Sequence, residues 1–394
     1  MNQLRPDLDH LSLPFFEARH RDDAARIIRW VDEVFPSIPA PTTCDEIDLH
    51  CRTLVKSLGD AGILRFCVPR PNASGKSGID SRSLCLAREL LAQSSALADF
   101  SFAMQGLSTG AISLAGTEEQ KATYLDEVAS GNLVAAFALS EPDAGSDVGG
   151  MSCEAVPKPG GYVLNGEKMW ISNGGIADFY VVFARAPGTA RSAGISAFIV
   201  DASAPGLEVA ERIDVISPHP LARLRFNDCF VGAAKRLGSE GDGFKLAMRT
   251  LDIFRTSVAA AALGFARKAL RLGVDRSLSR KMFGGVLADM QLTQATLADM
   301  ATSVESSAML VYRAAWLRDQ GVPTPREAAM AKLVATESAQ RVVDSAVQLW
   351  GGAGVRAGAE VEALYRDVRA LRIYEGASEV QRLIIGGGLI REHR

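Results

Sequence analysis

Hydrophobic and polar positions change rhythm twice along this chain. In "FFEARHRDDAARIIRWVDEVF" (15–35) and "EIDLHCRTLVKSLGDAGI" (46–63), apolar residues return every three or four positions, the spacing of one helix face. "SRSLCLARELLAQSSALADFSFAMQGLSTGAISLAG" (81–116) keeps that spacing with richer apolar content, which predicts buried helix. "RPNASGKSG" (70–78) is a polar, glycine-containing loop. From about residue 134 the runs shorten. "LVAAFALSEP", "GGYVLNGEKMWIS", "DFYVVFARA", "ISAFIVD" and "LARLRFNDCFV" are rich in Val, Ile, Phe and Tyr and are punctuated by Gly, Pro, Asn and Asp. Asn165–Gly166, between "YVL" and "EKMWI", predicts a type I′ hairpin turn. After "LGSEGDGF" (237–244) helical spacing returns in three long segments, 256–281, 296–321 and 326–350, followed by a final helix. Four such helices predict an antiparallel bundle. The order is α, then β, then α, with strands segregated. It predicts an α+β chain with an N-terminal α-helical domain (1–133), a middle β domain (134–237) and a C-terminal four-helix bundle (238–394), and it argues against a Rossmann or barrel fold.

Composition narrows the function classes. The 394 residues exceed one small core, and 47% apolar with 23% charged residues is ordinary for a globular chain. A net charge of −3 gives no basic excess for nucleic acid or anionic membrane. The longest apolar run, "VAAAALGFA" (258–266), is too short for a membrane span. "MNQLRPDLDH" lacks a basic-then-apolar order, so a cytoplasmic location is expected. Six scattered cysteines form no CxxC pair and read as small buried hydrophobes in a reducing compartment. Asn72–Ser74 matches a glycosylation acceptor by chance. GxGxxG, Walker, GxSxG and HExxH motifs are absent, and the five histidines are not clustered.

The remaining candidates are glycine-rich or aromatic segments and one carboxylate. "LSEPDAGSDVGG" (139–150) is a turn by composition, or a cradle in which Ser140, Ser146 and the N–H groups near Gly145 bind phosphate or ring carbonyls. In "KMWISNGG" (168–175), Trp170 and Ser172 share a strand face; the indole is either core or a ring-stacking surface. "RSLSRKMFGG" (276–285) is either a solvated basic helix end or a pyrophosphate partner through Arg280. In "QLWGGAGV" (348–355), Gly351 and Gly352 either cap a helix or let a ligand approach the backbone. "RIYEGASEVQRLII" (372–385) sets Glu375 between Tyr374 and Gly376. It is either a solvated charge at the start of the last helix or a base in a dry site.

Taken together, "LSEPDAGSD", "NGEKMWISNGG", "SRKMFGG", "QLWGGAGV" and "YRDVRALRIYEGASEVQRLI", in this order and spacing, resemble the signature blocks of the FAD-dependent acyl-CoA dehydrogenase family. The likeness runs from about Phe15 to Ile390. It implies a β-barrel-like middle domain, FAD between that domain and the bundle, and a homotetramer. By position, Phe137, Leu139, Ser140, Gly145 and Ser146 match the strand and loop along the flavin ring, Trp170 the aromatic shielding one face, and Ser172 the hydroxyl near N5. Arg280, Phe283 and Gln291 match residues reaching the FAD of a neighbouring subunit, and Gln348, Gly351 and Gly352 the adenosine-diphosphate contacts across an interface. Ala377 and Glu379 match the last FAD contacts, although Ala377 loses the family's usual hydroxyl. Ser146, Phe244, Met248, Asp252 and Arg255 match the thioester and pantetheine contacts, with Tyr374 and Gly376 beside them.

Glu375 matches the family's base, which takes the α-proton while the β-hydrogen leaves as hydride to flavin N5. Its backbone N–H and a ribitol hydroxyl polarise the thioester carbonyl. Some members carry the base on the helix of Arg255; here that position is Phe254, which cannot serve. The implied activity is dehydrogenation of an acyl-CoA to trans-2-enoyl-CoA, with an electron-transferring flavoprotein as acceptor. An oxidase, a carrier-protein-linked dehydrogenase and a non-catalytic flavin-binding relative are the alternatives. Three stretches depart from the pattern. They are the loop at 70–78, "SPHP" around His219 (a rigid surface turn, or an altered substrate entrance), and Asp99 in "LADFSFAMQG" (97–106). Such an Asp commonly turns outward or caps a neighbour, and facing a polar acyl chain is the alternative. The acyl group stays open.

Overall fold

The computed structural model describes residues 8–38, 41, 43–71 and 77–394. Asn72–Ser74 and most of the loop at 70–78 lie outside them. Helices α1 (Ala18–Arg29) and α2 (Cys44–Asp60) come first. The short pair β1 (Arg70–Pro71) and β2 (Ser77–Gly78) follows, then α3 (Ser81–Ser94), α4 (Ala96–Ala115) and α5 (Glu118–Ala129). The periodic stretch 81–116 is thus two helices rather than one. Ser95 is extended (φ −152°), and its hydroxyl accepts from the Ala98 N–H at 3.3 Å, so it caps α4 where α3 stops.

The strands are β3 (Ala135–Ala138), β4 (Glu154–Lys158), β5 (Gly161–Ser172), β6 (Phe179–Arg185), β7 (Ile195–Asp201), β8 (Leu207–Arg212), β9 (Leu221–Gly232) and β10 (Arg236–Leu237). Then come α6 (Gly243–Ser279), the hairpin β11 (Lys281–Met282) and β12 (Gly285–Val286), α7 (Gln291–Asp319), α8 (Pro325–Trp350), α9 (Glu360–Arg369) and α10 (Ser378–Glu392). Among the described residues no helix is long and apolar enough to cross a membrane.

The chain forms two compact units. One holds residues up to Val31, Asp80–Asp99 and Arg255–Arg394; the other holds Asp32–Ile79 and Phe100–Phe254. The first is helical. Its core interleaves Val258, Leu263 and Phe265 of α6 with Val304, Val311 and Tyr312 of α7 and Ala335, Ala339 and Val342 of α8. Buried alanines of α6 and α8 line this core, and α7 and α10 pack on α8. The Tyr312 hydroxyl donates to Glu89 of α3, whose other oxygen meets Arg267 Nε at 2.7 Å, so the charge buried in this core is paired.

The second unit is built on one eight-stranded sheet among the described residues, in the order β10-β7-β6-β4-β5-β9-β8, with β3 parallel to β6. β6 is buried along its whole length, and β9 alternates, which accounts for the apolar run "FYVVFAR" and the mixed run "LARLRFNDCFVG". The cysteines Cys51, Cys67, Cys153 and Cys229 of this unit and Cys85 of the other are buried and form no disulfide among the described residues.

Asn165–Gly166 does not turn the chain. β5 runs straight through it as a bulge against β9, with Gly166 at φ 137°. Asn165 Oδ1 accepts the Asp228 N–H at 2.8 Å, and its amide donates to the Asp228 carboxylate at 3.2 Å, so the dipeptide is held by the facing strand. The reversal is instead at Pro159–Gly160, between the paired Lys158 and Gly161. A Cβ on Gly166 would lie 2.7 Å from Cys153 Cα, a backbone atom just before β4. Gly166→Ala is therefore expected to lower unfolding free energy by about 1–3 kcal/mol in urea titration, whereas a free hairpin turn there would lose far less.

Candidate active site

In the helical unit, α9 ends at Arg369, Ala370–Arg372 makes one tight turn, and α10 starts at Ser378. The intervening loop carries Glu375 in the left-handed region (φ 51°) with Gly376 following at φ 91°. A glutamate there is strained, and the strain persists only where neighbours hold it. They do. Lys332 Nζ of α8 donates to the carbonyls of Tyr374 (2.8 Å) and Gly376 (2.5 Å), on either side of the glutamate. The Gln381 amide donates to the Gly376 carbonyl at 2.7 Å. Glu337, also on α8, accepts from the Ser378 hydroxyl at 2.6 Å and pairs with Arg372 at 2.8 Å.

The Glu375 Oε2 atom is shut off from water and meets no hydrogen-bond donor among the described residues. Burial raises the carboxyl above its ordinary 4.5, and Asp99 adds to the rise. Arg88, Lys332 and Arg255 pull the other way without cancelling it. Burial likewise lowers Lys332 to about 8, opposed first by Glu375. Oε2 is therefore buried without a donor, on a side chain that is half-buried overall, with three cations acting on it. A carboxyl raised in this way, and not neutralised by a direct ion pair, is a candidate base.

Asp99 turns inward. It is 3% exposed and takes a two-pronged bond from Arg88 of α3, Nε to Oδ1 and Nη2 to Oδ2, both 2.8 Å. Arg88 Nη1 also reaches the Ser257 hydroxyl at 3.2 Å. The expectation of an outward or capping Asp fails because α4 begins at Ala96 and the first turn that carries Asp99 lies against a buried guanidinium.

In the sheet unit, the residues matched to the flavin ring lie together. Phe137 and Leu139 run out of β3, and the Ser140 carbonyl accepts the Met169 N–H at 2.9 Å, joining the 139–146 loop to β5. Beneath that junction Lys168 and Glu141 form a buried ion pair at 2.7 Å. Lys168 also donates to the Leu139 carbonyl at 3.1 Å, and Glu141 accepts the N–H groups of Ser152 (2.5 Å) and Cys153 (3.0 Å). A register shift between Lys168 and Ile171 puts Trp170 at φ 62° and turns its indole out, 53% exposed. Trp170 is thus no core residue. Ser172 closes β5 half-buried, and Gly145 and Ser146 are exposed.

On α6, Phe244, Met248 and Asp252 are half-buried at helical spacing, and Arg255 is buried. Phe254 fills a slot left by Gly106 and Gly110 of α4, where a Cβ would come within 2.7 and 3.0 Å of its ring, so it is a packing residue. Arg280, Phe283, Gln291, Gln348, Gly351, Gly352 and Glu379 are all exposed on the chain, and Ala377 caps α10 half-buried. Gly351 caps α8 at φ 61°. His219 is half-buried in its turn, beside the exposed Ile216 and Pro218. Its Nδ1 lies 2.8 Å from the Ser217 carbonyl, its ring packs 4.6 Å from Phe100, and burial lowers its basicity.

Family models for the N-terminal, middle and C-terminal domains of acyl-CoA dehydrogenases match residues 20–132, 136–229 and 241–390. The chain belongs to the acyl-CoA dehydrogenase family. It is similar to the mitochondrial short-chain specific acyl-CoA dehydrogenase of Homo sapiens, 39% identical over 359 residues, covering 90% of this chain and 87% of that one. Among solved structures it resembles butyryl-CoA dehydrogenase of Megasphaera elsdenii (TM-score 0.87, 36% identity, 95% of this chain and 99% of that chain). It also resembles a glutaryl-CoA dehydrogenase of Mycobacterium smegmatis in complex with FADH2 (TM-score 0.85, 27% identity, 97% and 96%). The acyl-CoA dehydrogenase architecture of helical, β and helical domains is the one expected.

Sequence reasoning passed over Arg88, Glu141, Lys168, Lys332 and Glu337. Their one signal was a charge at a position where the apolar periodicity calls for a hydrophobe, as in "AMAKLVA". Two outcomes follow. Asp99→Ala strands Arg88 and is expected to cost about 3–5 kcal/mol in chemical denaturation, with much of the loss recovered by adding Arg88→Met. Because folding raises the Glu375 pKa, stability from this group is full below its unfolded value and declines as pH rises through the folded one. Glu375→Gln should therefore melt higher than the parent at about pH 7 and equal to it at about pH 4, read by calorimetry.

Proposed function

We propose that this oxidoreductase removes hydrogen across the Cα–Cβ bond of a short-chain acyl-CoA, giving the trans-2-enoyl-CoA, with Glu375 as the α-proton base. One observation carries the reading: a carboxyl whose Oε2 is buried without a donor, fixed in a left-handed loop by Lys332 and Gln381. An acyl thioester α-proton is weakly acidic, and only a carboxylate stripped of water is basic enough to take it efficiently. The Glu375 N–H makes no hydrogen bond among the described residues and is available to the thioester carbonyl, where charge develops as the proton leaves. The short-chain assignment rests on the names of the relatives.

The residues present fit FAD. Trp170 presents a bare indole, the Ser140 and Ser172 hydroxyls stand by the same strand, and Cβ positions at Gly145, Gly351 and Gly352 meet nothing within 4 Å, so a ligand can reach their backbone. Trp170, Ser140 and Ser172 would hold the flavin of their own chain. Arg280, Phe283, Gln291, Gln348, Gly351 and Gly352 would hold that of a second copy in a homotetramer. When bound, FAD supplies N5 as acceptor of the β-hydrogen. Phe244, Met248, Asp252 and Arg255 would orient the thioester from one helix face. An electron-transferring flavoprotein takes the electrons onward in this reading.

Anaerobic mixing of the FAD-loaded protein with acyl-CoAs from butyryl to palmitoyl tests it. Butyryl- or hexanoyl-CoA is expected to bleach the visible flavin band, and Glu375→Gln to slow bleaching by about 10²–10⁴-fold. Bound FAD that no thioester bleaches would sink the reading. Peroxide formed in air without added acceptor would mark an oxidase instead.

A further inference from the structure

Lys332 has no exposed surface and sits in a helix whose other buried positions are nearly all Ala, Val, Ser and Thr. Burying an ammonium there is costly, and a methionine would fill the same slot without that cost. What the lysine supplies is a cation that two carbonyls share. Those carbonyls lie in the Tyr374–Glu375 and Gly376–Ala377 peptide units, so the clamp brackets Glu375 and Gly376. The backbone between them is the part of the loop that is strained, at φ 51° and 91°. The contacts of Glu337 with Arg372 and Ser378 hold the ends of the loop and do not touch those peptide units.

We infer that Lys332 is a positioning residue for the base: by bridging the Tyr374 and Gly376 carbonyls it holds Glu375 in the left-handed conformation that keeps its carboxyl in the dry site. The assignment rests on Glu375 being the base. Lys332 also acts through charge. The groups facing it are Glu375, Arg255, Glu337 and Glu379, and those facing Glu375 are Arg88, Lys332, Arg255 and Asp99. Removing the lysine takes away one of three cations that favour the ionised carboxylate, so the pH at which the base becomes active rises. A role in packing alone would not do that.

The test is Lys332→Met in the FAD-loaded protein, mixed anaerobically with the acyl-CoA that bleaches the parent. Thioester affinity is expected to stay within a few-fold, and the bleaching rate to fall about 10²-fold, as for a reacting group displaced by an ångström. The acid limb of that rate should move to higher pH. Without any thioester, amide hydrogen exchange over residues 373–377 should speed up in the variant while the rest of α8 is unchanged. Lys332→Gln, a neutral donor, should recover part of the rate and keep the displaced limb.

A parental rate with an unmoved acid limb overturns the assignment, as does a lost rate with neither the limb nor the exchange altered. Failure of both variants to retain flavin assigns the lysine to the fold and overturns it too. A parent that no acyl-CoA bleaches defeats the reading of Glu375 itself. A parent that bleaches beside an equally active Lys332→Met defeats only the clamp.

Discussion

Keeping one carboxylate oxygen away from water and from donors is the constraint on the loop between α9 and α10. A glutamate at a loop of this kind would ordinarily face solvent and complement the N-terminus of the next helix. Here the backbone is bent into the left-handed region, which directs the side chain to a place where Oε2 finds no donor. Desolvation then pushes its pKa up, and Arg88, Arg255 and Lys332 limit the rise. Neither effect alone gives a useful base. Burial without cations would raise the pKa further, and a direct salt bridge would lower it and with it the basicity. Cations that act through space and donate elsewhere resolve the conflict. Lys332 spends its hydrogen bonds on carbonyls, and Arg88 spends its bonds on Asp99 and Ser257.

The same device recurs wherever a loop with a special shape must be held. In the sheet unit, Lys168 and Glu141 form an ion pair inside the protein, and each bonds backbone as well: the Leu139 carbonyl on one side, the Ser152 and Cys153 N–H groups on the other. The pair gains little stability over apolar residues of the same volume. Its effect is geometric, because backbone groups of the 139–153 loop are pinned to the strand that bears Trp170. Buried charge is used in both units to fix backbone that has no regular secondary structure to fix it.

Much of this was legible in the sequence because it depends on local periodicity. The three long helices after residue 243 and the strand-rich middle each follow from spacing, whereas the left-handed Glu375–Gly376 backbone does not. The Asn165–Gly166 turn was misread because a dipeptide with strong turn preference also suits a bulge, and only the facing Asp228 decides between them. The break at Ser95 was missed for a similar reason, since apolar spacing continues across it and the cap is a single hydroxyl. Lys332, Lys168 and Arg88 were illegible as site residues because their partners sit on other elements. A lone charge in an apolar helix reads the same whether it snorkels to solvent or clamps a distant carbonyl.

The exposed residues are the counterpart of these buried charges. Phe283 is 89% exposed at the tip of the β11–β12 hairpin, held at φ 47° where an asparagine or glycine would be relaxed. Leu292, just beyond, is 84% exposed. A large apolar side chain kept in water, on strained backbone, has no role in the stability of its own chain. In the proposed homotetramer both acquire one, because the hairpin and the capped end of α8 present Arg280, Phe283, Gln348 and bare glycine backbone to a neighbouring chain. The base is then complete within one chain, as its partners Lys332, Arg88, Arg255 and Asp99 all belong to the helical unit. The cofactor site is not. On this reading proton transfer is set by contacts inside the protomer and flavin retention by contacts between protomers. Dissociating the assembly would then release FAD before it disturbed the raised pKa of Glu375.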